Sequence, residues 1–237
     1  LSEPNPIFAQ TKKDQIKMKN VGKFILSAAA ASMLFACGGG NTETKVEEVE
    51  EVKGTTGTFS VNSGESTVKW AGSMLAVGGV SLYGHDGTVQ VSEGTVALED
   101  GAITNGVIAI DMTSITPMDE NYNPEEGRSK SDLVGHLSSG DFFAVDSFPA
   151  ATFEVVKHEG DKVMGKLTVR GITQEEVIEN VTVTETENGV SVSGQLTFDR
   201  QKYGVAFSMA NAYDVRDKVV SDDITLSFQI AASEAAM

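Results

Sequence analysis

From Gly57 onward the chain alternates apolar and polar residues with a period of two, which is the signature of strands with one buried face and one wet face. Val190, Val192, Leu196 and Phe198 alternate with Ser191, Ser193, Gln195, Thr197 and Asp199. Ile224, Leu226, Phe228 and Ile230 repeat the pattern, as do Val163, Gly165, Leu167 and Val169. Further strands are predicted at Thr58–Asn62, Ser66–Ser73, Gly87–Val91, Thr95–Glu99, Ala102–Met112, Ala151–His158 and Val177–Glu185. Gly160-Asp161 and Asn188-Gly189 read as hairpin turns, so their flanking strands should be antiparallel neighbours. About eight to ten strands with few helices predict an all-β fold, an antiparallel barrel that closes on itself and leaves no sheet edge.

One stretch breaks the alternation. Gly135 to Phe153 reads GHLSSGDFFAVDSFPAATF and places Phe142, Phe143, Phe148 and Phe153, four of the eleven phenylalanines, within twelve residues. Ser131–Leu137 suits a short helix that Gly140 would stop, and Pro149 forbids its continuation. A connection this apolar needs burial, which predicts a lid or corner over one end of the barrel, serving as a cover or simply as an aromatic plug.

The residues before the barrel have another character. Lys17–Lys23 is a short basic run and Phe24–Ala36 an apolar stretch too short for a membrane span, together resembling a signal peptide. Leu34-Phe35-Ala36-Cys37-Gly38 resembles a bacterial lipobox, which would make Cys37, the one cysteine, a lipidation site. The expected organisation is an upstream artefact at residues 1–17, a lipoprotein signal peptide at 18–36, and a flexible acidic tether at 37–54. The barrel domain follows at 55–233, with a tail at 234–237. This predicts a lipid anchor in the bacterial cell envelope, with the domain in the periplasm or at the cell surface.

Composition narrows the chemistry. The net charge is −16, and the residues after 36 carry 13 basic against 32 acidic side chains, so nucleic acid is an improbable partner. A single cysteine excludes an intrachain disulfide and a multi-cysteine metal site. His85, His136 and His158 are scattered without zinc spacing, and there is no GxSxG elbow and no phosphate-binding loop. Asp119-Glu120-Asn121-Tyr122-Asn123 begins like a calcium loop, but Pro124 and Lys130 stand where glycine and glutamate would be needed, so it reads as a solvated acidic loop. No metal and no catalytic constellation is expected, and the chain reads as a non-enzyme. Gly78, Gly79, Gly84, Gly87 and Gly194 interrupt the inward pattern. They fit an open channel and fit bulges and bends equally well.

GHLSSGDFFAVDSFPAATFEV, GKLTVRGIT at Gly165–Thr173 and FDRQKYGV at Phe198–Val205 resemble, in order and spacing, the YceI-like family. Where many relatives have an acidic and a basic residue flanking the His-Leu pair, this chain has Val134 and Ser138. The resemblance covers roughly Thr55 to Ser233. It implies a lipocalin-like barrel whose channel binds a long isoprenoid or other lipid amphiphile, such as an isoprenoid quinone or polyprenyl lipid, in place of a cofactor. The alternative is a filled barrel, an envelope scaffold that binds protein or glycan through its loops. A bound tail needs apolar walls and one polar spot for its head. The wall candidates are Trp70, Phe142, Phe143, Phe153, Leu167, Phe198, Phe207 and Phe228. The head candidates are His85, His136, Arg170, Arg200 and Tyr203, with Arg200 the better fit for an anion because guanidinium binds carboxylate or phosphate bidentately, the equal alternative being a surface arginine paired with Asp199 or another acid. The expected partners are the amphiphile and the membrane, with room for a homodimer.

Overall fold

A computed structural model describes residues 54–76, 79–126, 128–207 and 218–234. The export segment, Cys37, the tether up to Lys53, Gly78 and the tail from Ala235 lie outside them.

Among the described residues nine strands form one antiparallel sheet: β1 (Gly57–Val61), β2 (Thr67–Ala76), β3 (Ser81–Glu99), β4 (Ala102–Pro117), β5 (Ala150–Glu159), β6 (Lys162–Val169), β7 (Ile172–Thr186), β8 (Gly189–Asp199) and β9 (Lys218–Glu234). Each strand from β2 to β9 pairs with the next in sequence, and the β2–β9 pairing closes the ring. β1 pairs with the end of β3 and the end of β9, and β2 pairs with the same two strands farther along in the same direction. Together β1 and β2 act as one strand interrupted at residues 62–66, so nine strands fill eight places. The barrel has no free edge to protect.

The alternation predicted from sequence sets the inside and the outside. Val68, Val89, Val96, Ile103, Val163, Leu167, Val192, Leu196 and Ile230 are buried, while Lys69, Gln90, Lys166, Glu175, Thr197 and Gln229 face outward and are exposed. An apolar inside and a polar outside reverse the arrangement of a membrane-spanning barrel. Gly87–Val91 and Thr95–Glu99, expected as separate strands, belong to the single strand β3. A bulge between Val91 and Glu93 relative to β4 shifts the register and disguises the continuity. Gly160-Asp161 is the β5–β6 turn, whereas Gly189 already begins β8 and the β7–β8 turn is Glu187-Asn188.

Strand direction places two kinds of connection at the two ends. The short hairpins β3–β4, β5–β6 and β7–β8 lie at one end, called the lower end. The long connection between β4 and β5 lies at the upper end and carries α1 (Lys130–Ser138) and the phenylalanine-rich stretch. Ser129 caps α1: its side chain accepts from the Asp132 N–H while Asp132 accepts from the Ser129 N–H, a capping box. The helix ends at Ser139, one residue before the expected Gly140, because the Ser139 N–H and hydroxyl both donate to the His136 carbonyl. The aromatic stretch then folds back on the helix end, with Phe143 N–H donating to Leu137 O and Val145 N–H to Ser138 O. Phe142 and Val145 are buried; Phe148, in the connection expected to be buried, is 36% exposed and rests against Gly171 in the β6–β7 turn.

Candidate functional site

The inward side chains do not fill the barrel. They line two cavities of about 110 and about 120 Å³. The lower one takes residues from all eight places in the ring, among them Val96, Phe153, Ile178 and Phe228. The upper one lies beneath the lid and is bounded by Trp70, Leu137, Phe142, Phe143, Phe198 and Ile224, among others. Val68, Ile110, Leu167 and Leu226 line both, so the chambers abut at a waist. Thr152 below and Ser221 above are the only hydroxyl-bearing residues among the described lining residues. On β4 the lining runs from Ile103 to Ile115. With a rise of about 3.3 Å per residue and a strand tilt of about 40°, that is about 30 Å along the axis. The space is long, narrow and apolar.

Glycines keep it open. Trp70 pairs across strands with Gly87, and a Cβ on Gly87 would stand 2.5 Å from the indole ring. Phe228 pairs with Gly194, where a Cβ would come within 2.9 Å of the ring, and a Cβ on Gly165 would lie 2.3 Å from the Phe153 ring. Each aromatic ring occupies the space over a glycine where a side chain would otherwise stand. Two of the five interrupting glycines, Gly87 and Gly194, thus seat a ring, and both also lie beside bulges, at Thr88–Gln90 in the β3–β4 pairing and opposite Glu179–Thr182 in the β7–β8 pairing. Gly79, with φ +82°, is a turn residue.

Of the wall candidates, Trp70, Phe142, Phe143 and Phe198 line the upper chamber, Phe153 and Phe228 the lower, and Leu167 both. Phe207 does not line either; it is 41% exposed and stands edge-on to His136, with centroids 4.4 Å apart. The aliphatic walls, including Val68, Ile110 and Leu226, were legible as inward positions of period two but carry no mark that separates lining from packing.

The head candidates separate more sharply. Arg200 is fully buried, and its guanidinium donates to Ser221 O (2.8 Å), Val205 O (2.8 Å) and Val220 O (3.1 Å), with Asp222 at 3.5 Å. It is neither a free anion receptor nor a surface residue paired with Asp199. It clamps the η turn Arg200–Tyr203 to β9 and sits over the Phe142 ring at 5.8 Å. Burial pulls its pKa down, while Asp222 and Asp199 pull the other way. Tyr203 is buried and donates to Glu176 at 2.9 Å, and burial with that bond pushes its pKa up. Arg170 donates to the Phe142 carbonyl and so latches the lid to the β6–β7 turn. His136 lies on α1, edge-on to Phe142.

His85 has a partner that sequence spacing did not reveal. Its Nδ1 lies 3.1 Å from Asp119 Oδ1, and its ring stacks on Tyr122 with centroids 5.1 Å apart. Asp119 is not a solvated loop residue: its side chain is 6% exposed and accepts from the N–H groups of Asp86 and Asn121 and from the Tyr122 hydroxyl. Burial raises its pKa, but the bonds from Asn121, Tyr122, His85 and Asp86 outweigh that and hold it below the ordinary value. Among the described residues no group of three or more His, Cys, Asp or Glu is placed to hold a metal ion.

Residues 40–232 match the family model described as the YceI-like domain. A UPF0312 protein of Staphylococcus aureus (strain bovine RF122 / ET3-1) is 41% identical over 94 residues, covering 37% of this chain and 55% of that relative. The UPF0312 protein of strain N315 is 40% identical over 81 residues, covering 32% and 47%. The chain thus spans about half the length of these curated relatives. The crystal structure of Burkholderia cenocepacia BcnA superposes with a TM-score of 0.51 at 18% identity, covering 72% of this chain and 98% of that one. That likeness is one of fold.

Proposed function

This chain belongs to the YceI-like family, and from that premise we propose that it is a non-catalytic binding protein that carries or stores a long-chain isoprenoid or similar lipid amphiphile along the barrel axis. The observation that supports this most is the pair of abutting apolar chambers, whose walls offer a tail dispersion contacts and almost no polar groups. Their length and narrowness favour a thread over a compact ring system. Each CH₂ taken out of water contributes about 0.8 kcal/mol, so a few isoprene units hold without a strong polar contact. Cys37, acylated, anchors the protein in the bacterial envelope, and the acidic tether lets the barrel stand clear of the bilayer.

Native mass spectrometry of the gently extracted protein tests the binding. The expected result is an adduct of prenyl-lipid mass, or stoichiometric uptake of added polyprenol. An apo mass in every preparation with no uptake contradicts it. Replacing Cys37 by Ser is expected to move the protein from the membrane fraction to the soluble one.

A further inference from the structure

The upper rim carries an ionisable cluster that the apolar tunnel does not need. Along β3, Val89, Gly87 and then His85 face inward, and His85 pairs across strands with Gly72, which lines the upper chamber. Among the described residues a Cβ added at Gly72 would meet no atom within 4 Å, so none of them fills the space beside Gly72. The histidine is fixed from two sides. Asp119 holds Nδ1 at 3.1 and 3.3 Å through its two oxygens, and Tyr122 stacks on the ring with an interplanar angle of 21°. Lys130 lies over the far side of this assembly, 5.4 Å from the Tyr122 centroid.

The chemistry of the pair settles which nitrogen does what. Asp119 already collects donors from Asp86, Asn121 and Tyr122, and an ionised carboxylate can only accept. The hydrogen therefore sits on Nδ1, and Nε2 of the neutral ring presents a lone pair. Among the described residues Nε2 has no hydrogen-bond partner, and the side chain is 24% exposed.

We infer that His85 receives the head of the bound amphiphile and selects a hydroxyl head, which donates a hydrogen bond to Nε2, over a head that can only accept. The inference rests on the barrel holding a lipid tail. It favours prenols, phenols and hydroquinones over ethers, ketones and oxidised quinones that share the same tail.

The test compares geranylgeraniol with its methyl ether on the full chain at about pH 8. Binding is followed by the emission of Trp70, the single tryptophan, which lines the upper chamber. The alcohol is expected to bind about 5-fold more tightly than the ether, the worth of one neutral hydrogen bond. His85→Phe keeps the aromatic stack and removes Nε2; there the alcohol should bind no more tightly than the ether, and a cooperative urea transition of the variant reports an intact barrel. In Asp119→Asn, which no longer fixes the tautomer, the gap should narrow. Equal binding of the two ligands by the wild type, or a full gap surviving in both variants, overturns the inference while leaving the tail-binding reading in place. Binding of neither ligand overturns both.

Discussion

Gly87, Gly165 and Gly194 face the barrel axis, and each has an aromatic ring lying where its own side chain would stand. Gly194→Val would force Phe228 and Ile178 to move, since a Cβ there lies 2.8 to 2.9 Å from both. We expect a loss of about 1–3 kcal/mol in urea unfolding, the usual cost of overpacking, together with reduced lipid uptake as Phe228 swings into the lower chamber. Gly72→Leu is the contrasting change, because none of the described residues fills the space beside Gly72 at the rim. Stability should change by less than about 1 kcal/mol while lipid binding falls. Arg200→Met removes the donors of three backbone carbonyls and is expected to cost about 2–4 kcal/mol by the same unfolding measurement. Sequence brought out the aromatic side chains that form the wall. It could not reveal the use of Gly87 and Gly194, because an inward glycine means a seat for a ring only when the cross-strand register puts Trp70 or Phe228 opposite. The burial of Arg200 was equally illegible: two of its three carbonyl partners lie on a strand about twenty residues away, which no side-chain pattern records.

At the scale of elements, the connection from β4 to β5 combines a capped helix, a folded-back aromatic loop and the Asp119 cluster. Ser129→Ala removes the cap of α1 and should cost about 1 kcal/mol, seen as faster amide exchange in Lys130–Ser138. Asp119 gives this connection a pH dependence. Its folded pKa lies below the ordinary value of 3.8, so near that pH the unfolded chain binds more protons than the folded one. Its contribution is therefore complete above about pH 5 and is lost as pH falls below the ordinary aspartate range. Urea midpoints measured from about pH 6 down to about pH 3 should fall less steeply in Asp119→Asn than in the wild type. The helix and the lid were legible from the breakers and from the crowding of phenylalanine. The Asp119–His85 contact was not, since a strand residue and a loop residue 34 positions apart meet only when β3 and β4 lie side by side.

The whole barrel follows from alternation and turn chemistry, and eight places in a closed ring suffice to bury one face of every strand. What alternation alone leaves open is whether the enclosed space is filled, since Val, Leu and Phe facing inward serve a solid core and a tunnel equally well. Here rings occupy the space over glycines, and the two chambers abut where Val68, Ile110, Leu167 and Leu226 line both. A crystal structure of the full chain with geranylgeraniol tests this most directly. The account predicts density for the prenyl chain passing between those four residues, with its hydroxyl end at the upper rim. Side chains closed across the waist, with the lipid bound elsewhere or not at all, would contradict it.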